Sequence, residues 1–261
     1  MKASMQPENP HVVTLIQARM ASSRLPGKVL RDLGGQPALA WVVERCRRAQ
    51  TVHQVAVATT DDPADDPVAD LCAERGWDVF RGSQFDVLDR YYQAARHFGA
   101  QVIVRVTGDC PLIDPQAIDQ VVSEFLSSGV DFAANRLPPP HPRTWPIGLD
   151  TEVCRIQGLE RAWREAELKF EREHVMPYFY DQEGRFRVRV VEHDPDYGHL
   201  RWTLDTPEDL DLLRVVVERL GRRMDVSWLE VLDLFLREPD LAQINARVQH
   251  KSGQDVDARM K

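Results

Sequence analysis

Apolar and polar positions alternate between two periods along the first half of the chain. Val12–Gln17 (VVTLIQ) is a short β-branched run and predicts a buried strand. Gly34-Gly35-Gln36-Pro37 punctuates, and Pro37–Ala49 then carries Leu39, Val42, Val43 and Cys46 at helical spacing. His53–Thr59 predicts a strand, Pro67–Arg75 a helix ended by Gly76, and Asp78–Phe80 a brief strand. Phe85–Phe98 is helical in pattern and stops at Gly99, and Gln101–Thr107 is a strong strand. Asp114 and Pro115 are the residue types of an N-cap and a first helical position, so a helix starts there and runs to about Leu126. Val130–Ala134 predicts another strand.

Strands alternating with helices imply an α/β fold, a mostly parallel sheet with helices on both faces. Right-handed crossovers place the strand C-termini along one edge. Ligands of such sheets bind at that edge. The rhythm breaks at Leu137-Pro138-Pro139-Pro140-His141-Pro142, which reads as a loop. Beyond it the pattern predicts a strand over Leu149–Ile156, a helix over Gln157–Glu167, and a helix over Phe170–Asp181 bent or broken at Pro177. Arg185–Val191 alternates as a half-buried strand, His199–Leu204 reads as a strand, Pro207–Leu220 as a helix, and Val226–Val248 as one or two helices. One domain over residues 11–245 is expected, with flexible ends at 1–10 and 249–261.

Composition excludes several classes. The 261 residues are 43% hydrophobic and 28% charged, ordinary for a globular chain and inconsistent with global disorder. A net charge of −8 argues against broad binding to nucleic acid or an anionic membrane. Met1–Pro10 has no apolar core of a signal peptide, and no apolar run approaches a spanning helix. Cys46, Cys72, Cys110 and Cys154 lie far apart without a C-x-x-C pair, as expected of reduced thiols in a cytoplasmic protein.

Where the charge sits says more than its sum. From His11 to Arg31 there are four basic residues and no acidic one. Directly after the first strand, Arg19, Arg24 and Lys28 share a loop with Ser22, Ser23 and a Pro26-Gly27 turn. Guanidinium forks, an ammonium, hydroxyls and turn N–H groups suit a polyphosphate. The loop has neither the Walker A nor the G-x-G-x-x-G spacing, and a solvated basic loop is the plainer reading. Asp109, just after Gly108, and Asp205 each follow a predicted strand, so both would face that loop from one sheet edge. Two carboxylates plus phosphate oxygens form a good Mg²⁺ site. Taken alone, Asp109 could be a turn residue. Thr206 and Pro207 explain themselves as a helix start, which leaves Asp205 over. Asp61, Asp62, Asp65, Asp66 and Asp70 read mostly as solvated loop and helix start. Cys110 reads as a small buried residue. Glu171-x-x-His174 is half of a carboxylate di-metal pattern whose second half is missing, though His174 could line a pocket. Trp163, Phe170, Phe179 and Tyr180 read as core.

These motifs together resemble the cytidylyltransferase superfamily that activates acidic sugars, and within it the spore-coat polysaccharide branch. The residues are Ala18-Arg19-Met20-x-Ser22-x-Arg24-Leu25-Pro26-Gly27-Lys28, Val87-Leu88-Asp89-Arg90-Tyr91, Thr107-Gly108-Asp109-Cys110-Pro111-Leu112-Ile113-Asp114, Gly148-Leu149-Asp150-x-Glu152-Val153, Glu171-Arg172-Glu173-His174-Val175 and Leu204-Asp205-Thr206-Pro207-Glu208-Asp209-Leu210. The first and last resemble the 3-deoxy-sugar-acid cytidylyltransferases, which usually carry a different sequence around the first metal aspartate. The resemblance implies a nucleotide-diphospho-sugar transferase fold, a Rossmann-like mixed sheet, with CTP as donor and Mg²⁺ as cofactor. It implies that Arg19, Arg24 and Lys28 hold the triphosphate, that Ala18, Ser22 and Ser23 belong to the nucleotide loop, and that Asp109 and Asp205 ligate Mg²⁺. Thr59, Arg105, Thr107 and Gly108 would lie near base and ribose. Residues 11–134 would form the nucleotide half, 135–200 the acceptor region and 201–245 the metal-bearing C-terminal part. Arg136, His141, Arg143 and His174 are candidates for a small acidic acceptor. Relatives of this kind are often homodimers, for which the strand 185–191 offers an interface. Two other readings compete: a glycosyltransferase of the same fold, whose usual D-x-D motif Asp109-Cys110-Pro111 lacks, and a non-catalytic nucleotide-binding module.

Overall fold

The computed structural model describes residues 10–249, so the expected flexible ends lie almost wholly outside the described residues. In chain order the elements are β1 (Val12–Gln17), β2 (Asp32–Leu33), β3 (Gln36–Pro37), α1 (Ala38–Cys46), β4 (Gln54–Thr60), α2 (Asp66–Arg75), β5 (Asp78–Gly82), α3 (Val87–His97), β6 (Val102–Thr107) and α4 (Pro115–Ser128). They continue with β7 (Phe132–Ala134), β8 (Glu152–Arg155), α5 (Ile156–Glu165), α6 (Lys169–His174), α7 (Pro177–Tyr180), β9 (Val188–Val190), α8 (Pro207–Arg219) and α9 (Trp228–Arg237).

Seven strands form one sheet in the order β5-β4-β1-β6-β8-β7-β9. Neighbours β5, β4, β1 and β6 pair in parallel. Only β8 runs the other way, antiparallel to both β6 and β7, and β9 is parallel to β7. Successive residues of β1 face opposite ways, which explains its continuous apolar run. Val12 and Ile16 pack with Leu39, Val43, Val68, Ile118 and Val122 on the face covered by α1, α2 and α4. Val13 and Leu15 pack with Leu88, Tyr91, Leu159 and Phe179 on the face of α3, α5 and α7. Beside this sandwich, Trp145 and Trp202 join apolar residues of α8 and α9 in a third cluster. Arg45 joins that cluster to the sheet layer. Fully buried, it donates to the carbonyls of Ile113, Met224 and Val226 at 2.5, 2.9 and 2.8 Å.

Local chemistry sets the ends of elements. Asp114 accepts from the Gln116 and Ala117 N–H groups to cap α4, with Pro115 in its first turn. Thr206 and Asp209 cap α8 reciprocally. Gly34 and Gly35, both at positive φ (66° and 86°), turn the small β2–β3 hairpin. The predicted helix over 170–181 breaks at Val175, and Pro177 opens the short α7.

Two expected strands differ. Arg185–Val191 shrinks to β9, the sheet's edge, with Arg187 and Arg189 outward on Asp131 and Glu124. His199–Leu204 is no strand of the sheet: it makes one isolated bridge, Arg201 with Ile147. The position beside β6 is taken by β8, so this segment passes across the strand end instead.

Candidate active site

The chain fills the sheet on the β4 side of β1 first and on the β6 side afterwards, so β1 and β6 flank the point where strand order reverses. Loops diverge there and leave a crevice. Gly108 N donates to Gln17 O at 2.8 Å. A Cβ on Gly108 would meet that oxygen at 2.9 Å and the Ala18 Cβ at 3.1 Å. The glycine thus lets the two strand-end loops touch each other. In the basic loop, Ala18 N donates to Ala58 O at 3.3 Å and Gly27 N to Met20 O at 2.9 Å. Gly27 takes φ +67° and starts the turn that carries Lys28.

Lys28 reaches the acidic pair. Its Nζ lies 2.6 Å from Asp109 Oδ2 and 2.7 Å from Asp205 Oδ1. Arg24 Nη2 and Arg201 Nη2 approach the other Asp205 oxygen at 3.1 and 2.8 Å. Burial alone would lower the Lys28 pKa, but the two carboxylates outweigh it and hold the ammonium above its ordinary value. Burial would likewise raise Asp205, yet Lys28, Arg24 and Arg201 hold it well below the usual carboxylate range. Asp205 is aimed by its neighbours: its N–H donates to Asp209 Oδ2 at 3.0 Å, and buried Asp209 takes two bonds from Arg201 at 2.9 Å. Asp109 is fixed through its carbonyl, which accepts from Leu204 N at 2.7 Å and Thr203 Oγ1 at 3.0 Å. Both aspartates therefore reach one point as the sequence suggests, although the segment before Asp205 is not a strand.

Two hard carboxylate oxygens around one cationic centre fit a Mg²⁺ ion, which takes few carboxylates and completes its shell with phosphate and water. Among the described residues no cluster holds three or more His, Cys, Asp or Glu side chains in metal-binding reach. Any metal there would draw its remaining ligands from substrate and solvent.

A cavity of about 180 Å³ opens at the C-terminal end of β6, where Thr107, two residues before Asp109, lines it. Arg105, Thr107, Arg136, Asp150, Glu152, His174 and Tyr180 line it, with Pro138. It joins residues expected near the nucleotide (Arg105, Thr107) to residues expected at the acceptor (Arg136, His174). Arg105 pairs with Glu152 and donates to Gln17 Oε1 at 3.2 Å. Burial would lower its pKa, but Glu152 holds it above the ordinary arginine value. Arg136, half-buried, makes no hydrogen bond or ion pair among the described residues, and it lines the cavity with Tyr180, whose phenol its charge influences.

Other candidates sit elsewhere. Arg143 is clamped on Asp150 at 2.6 and 3.1 Å, and His141 is exposed; neither lines the cavity. Ser22 Oγ accepts from Leu25 N at 3.4 Å, Ser23 is exposed, and Arg19 is half-buried. Thr59 is fully buried at the end of β4. Tyr180, expected in the core, lines the cavity, whereas Phe179 is core and Trp163 stacks on Tyr92 at 4.5 Å. Cys110 is buried, with its thiol pushed well above 9 by burial and by Asp109, which disfavours it as a nucleophile.

Sequence reasoning assigned no role to Asp150 and Glu152, though the alternation in Leu149-Asp150-Thr151-Glu152 holds the signal. It also missed Asp65, which is only 3% exposed and is no part of a solvated acidic face. Arg90, likewise buried, donates to Ser83 O, while its Nε and Nη2 have no partner among the described residues. No helix among the described residues is long and apolar enough to cross a membrane.

Known proteins identify the family and the fold. The sequence model of the family described as Cytidylyltransferase matches residues 13–220. The spore coat polysaccharide biosynthesis protein SpsF of Bacillus subtilis is 34% identical over 249 residues, covering 88% of this chain and 96% of that protein. A 3-deoxy-manno-octulosonate cytidylyltransferase of Anaeromyxobacter sp. is 30% identical over 243 residues, covering 79% of this chain and 98% of that one. The solved structure of a cytidylyltransferase from Leptospira borgpetersenii superposes with a TM-score of 0.85 at 32% identity, over 92% of this chain and 100% of that one. The mixed seven-stranded sheet is the nucleotide-diphospho-sugar transferase fold. The chain belongs to the cytidylyltransferase family of enzymes.

Proposed function

We propose that this enzyme transfers CMP from CTP to a small acidic sugar or related polysaccharide precursor and releases pyrophosphate. The observation that carries this reading is the meeting of Lys28 with Asp109 and Asp205, and of Arg24 with Asp205, just past the end of β6, whose Thr107 lines the cavity bearing Arg136. The names of the relatives support it: one is a spore coat polysaccharide biosynthesis protein and one is a 3-deoxy-manno-octulosonate cytidylyltransferase.

In this chemistry an acceptor oxygen attacks the α-phosphorus in line and pyrophosphate leaves. Such transfer depends on positioning and charge neutralisation more than on a protein nucleophile. Arg19, Arg24 and Lys28 would hold the triphosphate and stabilise the charge that builds on the leaving pyrophosphate. Asp109 and Asp205 would hold Mg²⁺, which when bound neutralises phosphate charge. Arg136 would pair with the acceptor's acidic group, and His174 and Tyr180 would orient its hydroxyls. Asp150 and Glu152 act behind them: Arg143 and Arg105 already occupy these carboxylates.

Pyrophosphate release from each nucleoside triphosphate, against a panel of sugar acids and sugar phosphates, tests the reading. Release that requires CTP and one acidic acceptor is expected. Release from another triphosphate in preference to CTP, or sugar transfer without pyrophosphate, would overturn it.

A further inference from the structure

We propose that Asp65 is a positioning residue that clamps the phosphate loop into the shape needed to present Arg24 and Lys28. Asp65 closes the short turn Pro63–Asp65 ahead of α2, and its N–H donates to Asp62 O at 2.9 Å. From there its carboxylate points away from solvent. Oδ1 accepts from the Met20 N–H at 2.5 Å, and Oδ2 accepts from Thr60 Oγ1 at the end of β4. One side chain thus ties the loop after β1 to the neighbouring strand.

The tie reaches further than Met20. The Met20 carbonyl accepts from Gly27 N at 2.9 Å, and Lys28 N donates to Leu25 O at 3.2 Å. Met20 is therefore held at its N–H by Asp65 and holds the far end of the loop through its carbonyl. Arg24 lies inside the closed segment and Lys28 directly after it. A bond from a backbone N–H to a buried carboxylate is of the strong, charge-assisted kind. Losing it would cut the loop's tie to β4 at Met20, leaving residues 20–27 held by buried Leu25 and by the Arg24–Asp205 pair, with the backbone at Met20 and Gly27 less restrained. A solvated aspartate would have no such reach.

This inference rests on the reading of the loop as a triphosphate site, and the test separates the two. Hydrogen–deuterium exchange of the full chain, without nucleotide, is compared for wild type, Asp65→Ala and Asp65→Asn. In the wild type the Met20 and Gly27 amides are expected to be protected. Asp65→Ala should speed exchange about tenfold or more, confined to residues 18–28. Asp65→Asn, whose side-chain oxygen can still accept from Met20, should restore most of the protection. In pyrophosphate release, Asp65→Ala should raise half-saturation by CTP about tenfold and leave half-saturation by the acceptor unchanged. Rapid exchange of Met20 and Gly27 in the wild type would overturn the clamp, even where Asp65→Ala fails to fold. Unchanged loop exchange in Asp65→Ala, or acceleration spread evenly over the sheet, would overturn it too. A wild type that releases no pyrophosphate from CTP would sink the nucleotide reading, while the exchange data still decide the clamp.

Discussion

Lys28 and Asp109 stand 81 positions apart in the chain and meet at 2.6 Å. The ammonium is shared with Asp205, and Arg24 and Arg201 complete the neutralisation of that second carboxylate. The acidic pair therefore carries its own counter-ions. A divalent cation arriving alone has to displace Lys28, whereas one arriving with a triphosphate gives Lys28 a new anion to bind.

Lys28→Met separates these roles. The variant should lose about 10²–10³-fold in kcat/KM with CTP, because a cation aimed at developing charge is removed. It should also bind Mn²⁺ in the absence of nucleotide, where the wild type binds it only with CTP. Electron paramagnetic resonance of free Mn²⁺ reads this directly. Equal Mn²⁺ binding by both proteins without nucleotide would contradict the exchange of counter-ions.

Asp205 gives a pH dependence with a definite sign. Its carboxyl is held well below its unfolded value, about 3.9, so its stabilisation is fully present only about one pH unit or more above that value. As pH falls below about 5, the unfolded state takes up the proton first and this stabilisation drains away. Urea unfolding of wild type and Asp205→Asn should therefore show a wide gap at pH 7 that narrows by pH 3. A gap that widens toward acid would refute the assignment.

Arg136→Ala tests the cavity. Because Arg136 has no ion pair among the described residues, its loss should change stability by no more than about 0.5 kcal/mol. Half-saturation by the acidic acceptor should rise at least about tenfold, and CTP binding measured by calorimetry should be unaffected.

Gly108→Ala tests the contact between the two strand-end loops. The added Cβ would sit 2.9 Å from Gln17 O, a backbone atom inside the sheet that cannot swing away. Destabilisation of about 1–3 kcal/mol is expected by urea unfolding. CTP half-saturation should rise with it, since the other close contact is Ala18, where the basic loop of Arg24 and Lys28 begins.

The first half of the chain was legible because its elements are local. The β-branched run before Ala18 and the Asp114-Pro115 cap carry their own signals, and each appears within a few residues of where the pattern puts it. Asp109 and Asp205 were legible as a pair, although the strand invoked for Asp205 was not there. What the pattern could not show is which side of a loop a charge faces. Asp65 lies in an acidic run and looks solvated until the fold turns it onto the Met20 N–H. Arg143 looks like a free cation until Asp150 meets it. Such partners are set by packing between segments, and no periodicity records them.

The antiparallel course of β8 has a consequence for how this enzyme can change. Since β7 ends and β8 begins at the same edge of the sheet, residues 135–151 leave the framework and return to it side by side. Asn135 fastens the two stems, donating to Leu149 O at 2.7 Å and accepting from Thr151 N at 2.8 Å. Beyond that fastening the segment is anchored a second time: Trp145 is buried in the third cluster, and Ile147 exchanges backbone bonds with Leu200 and Trp202 at 2.8 and 2.7 Å. Those bonds lead directly to Thr203 and Leu204, which hold the Asp109 carbonyl. A change in the backbone of residues 145–149 is therefore felt at Asp109 and Asp205, while Arg136 and the exposed residues 139–141 can vary without disturbing them.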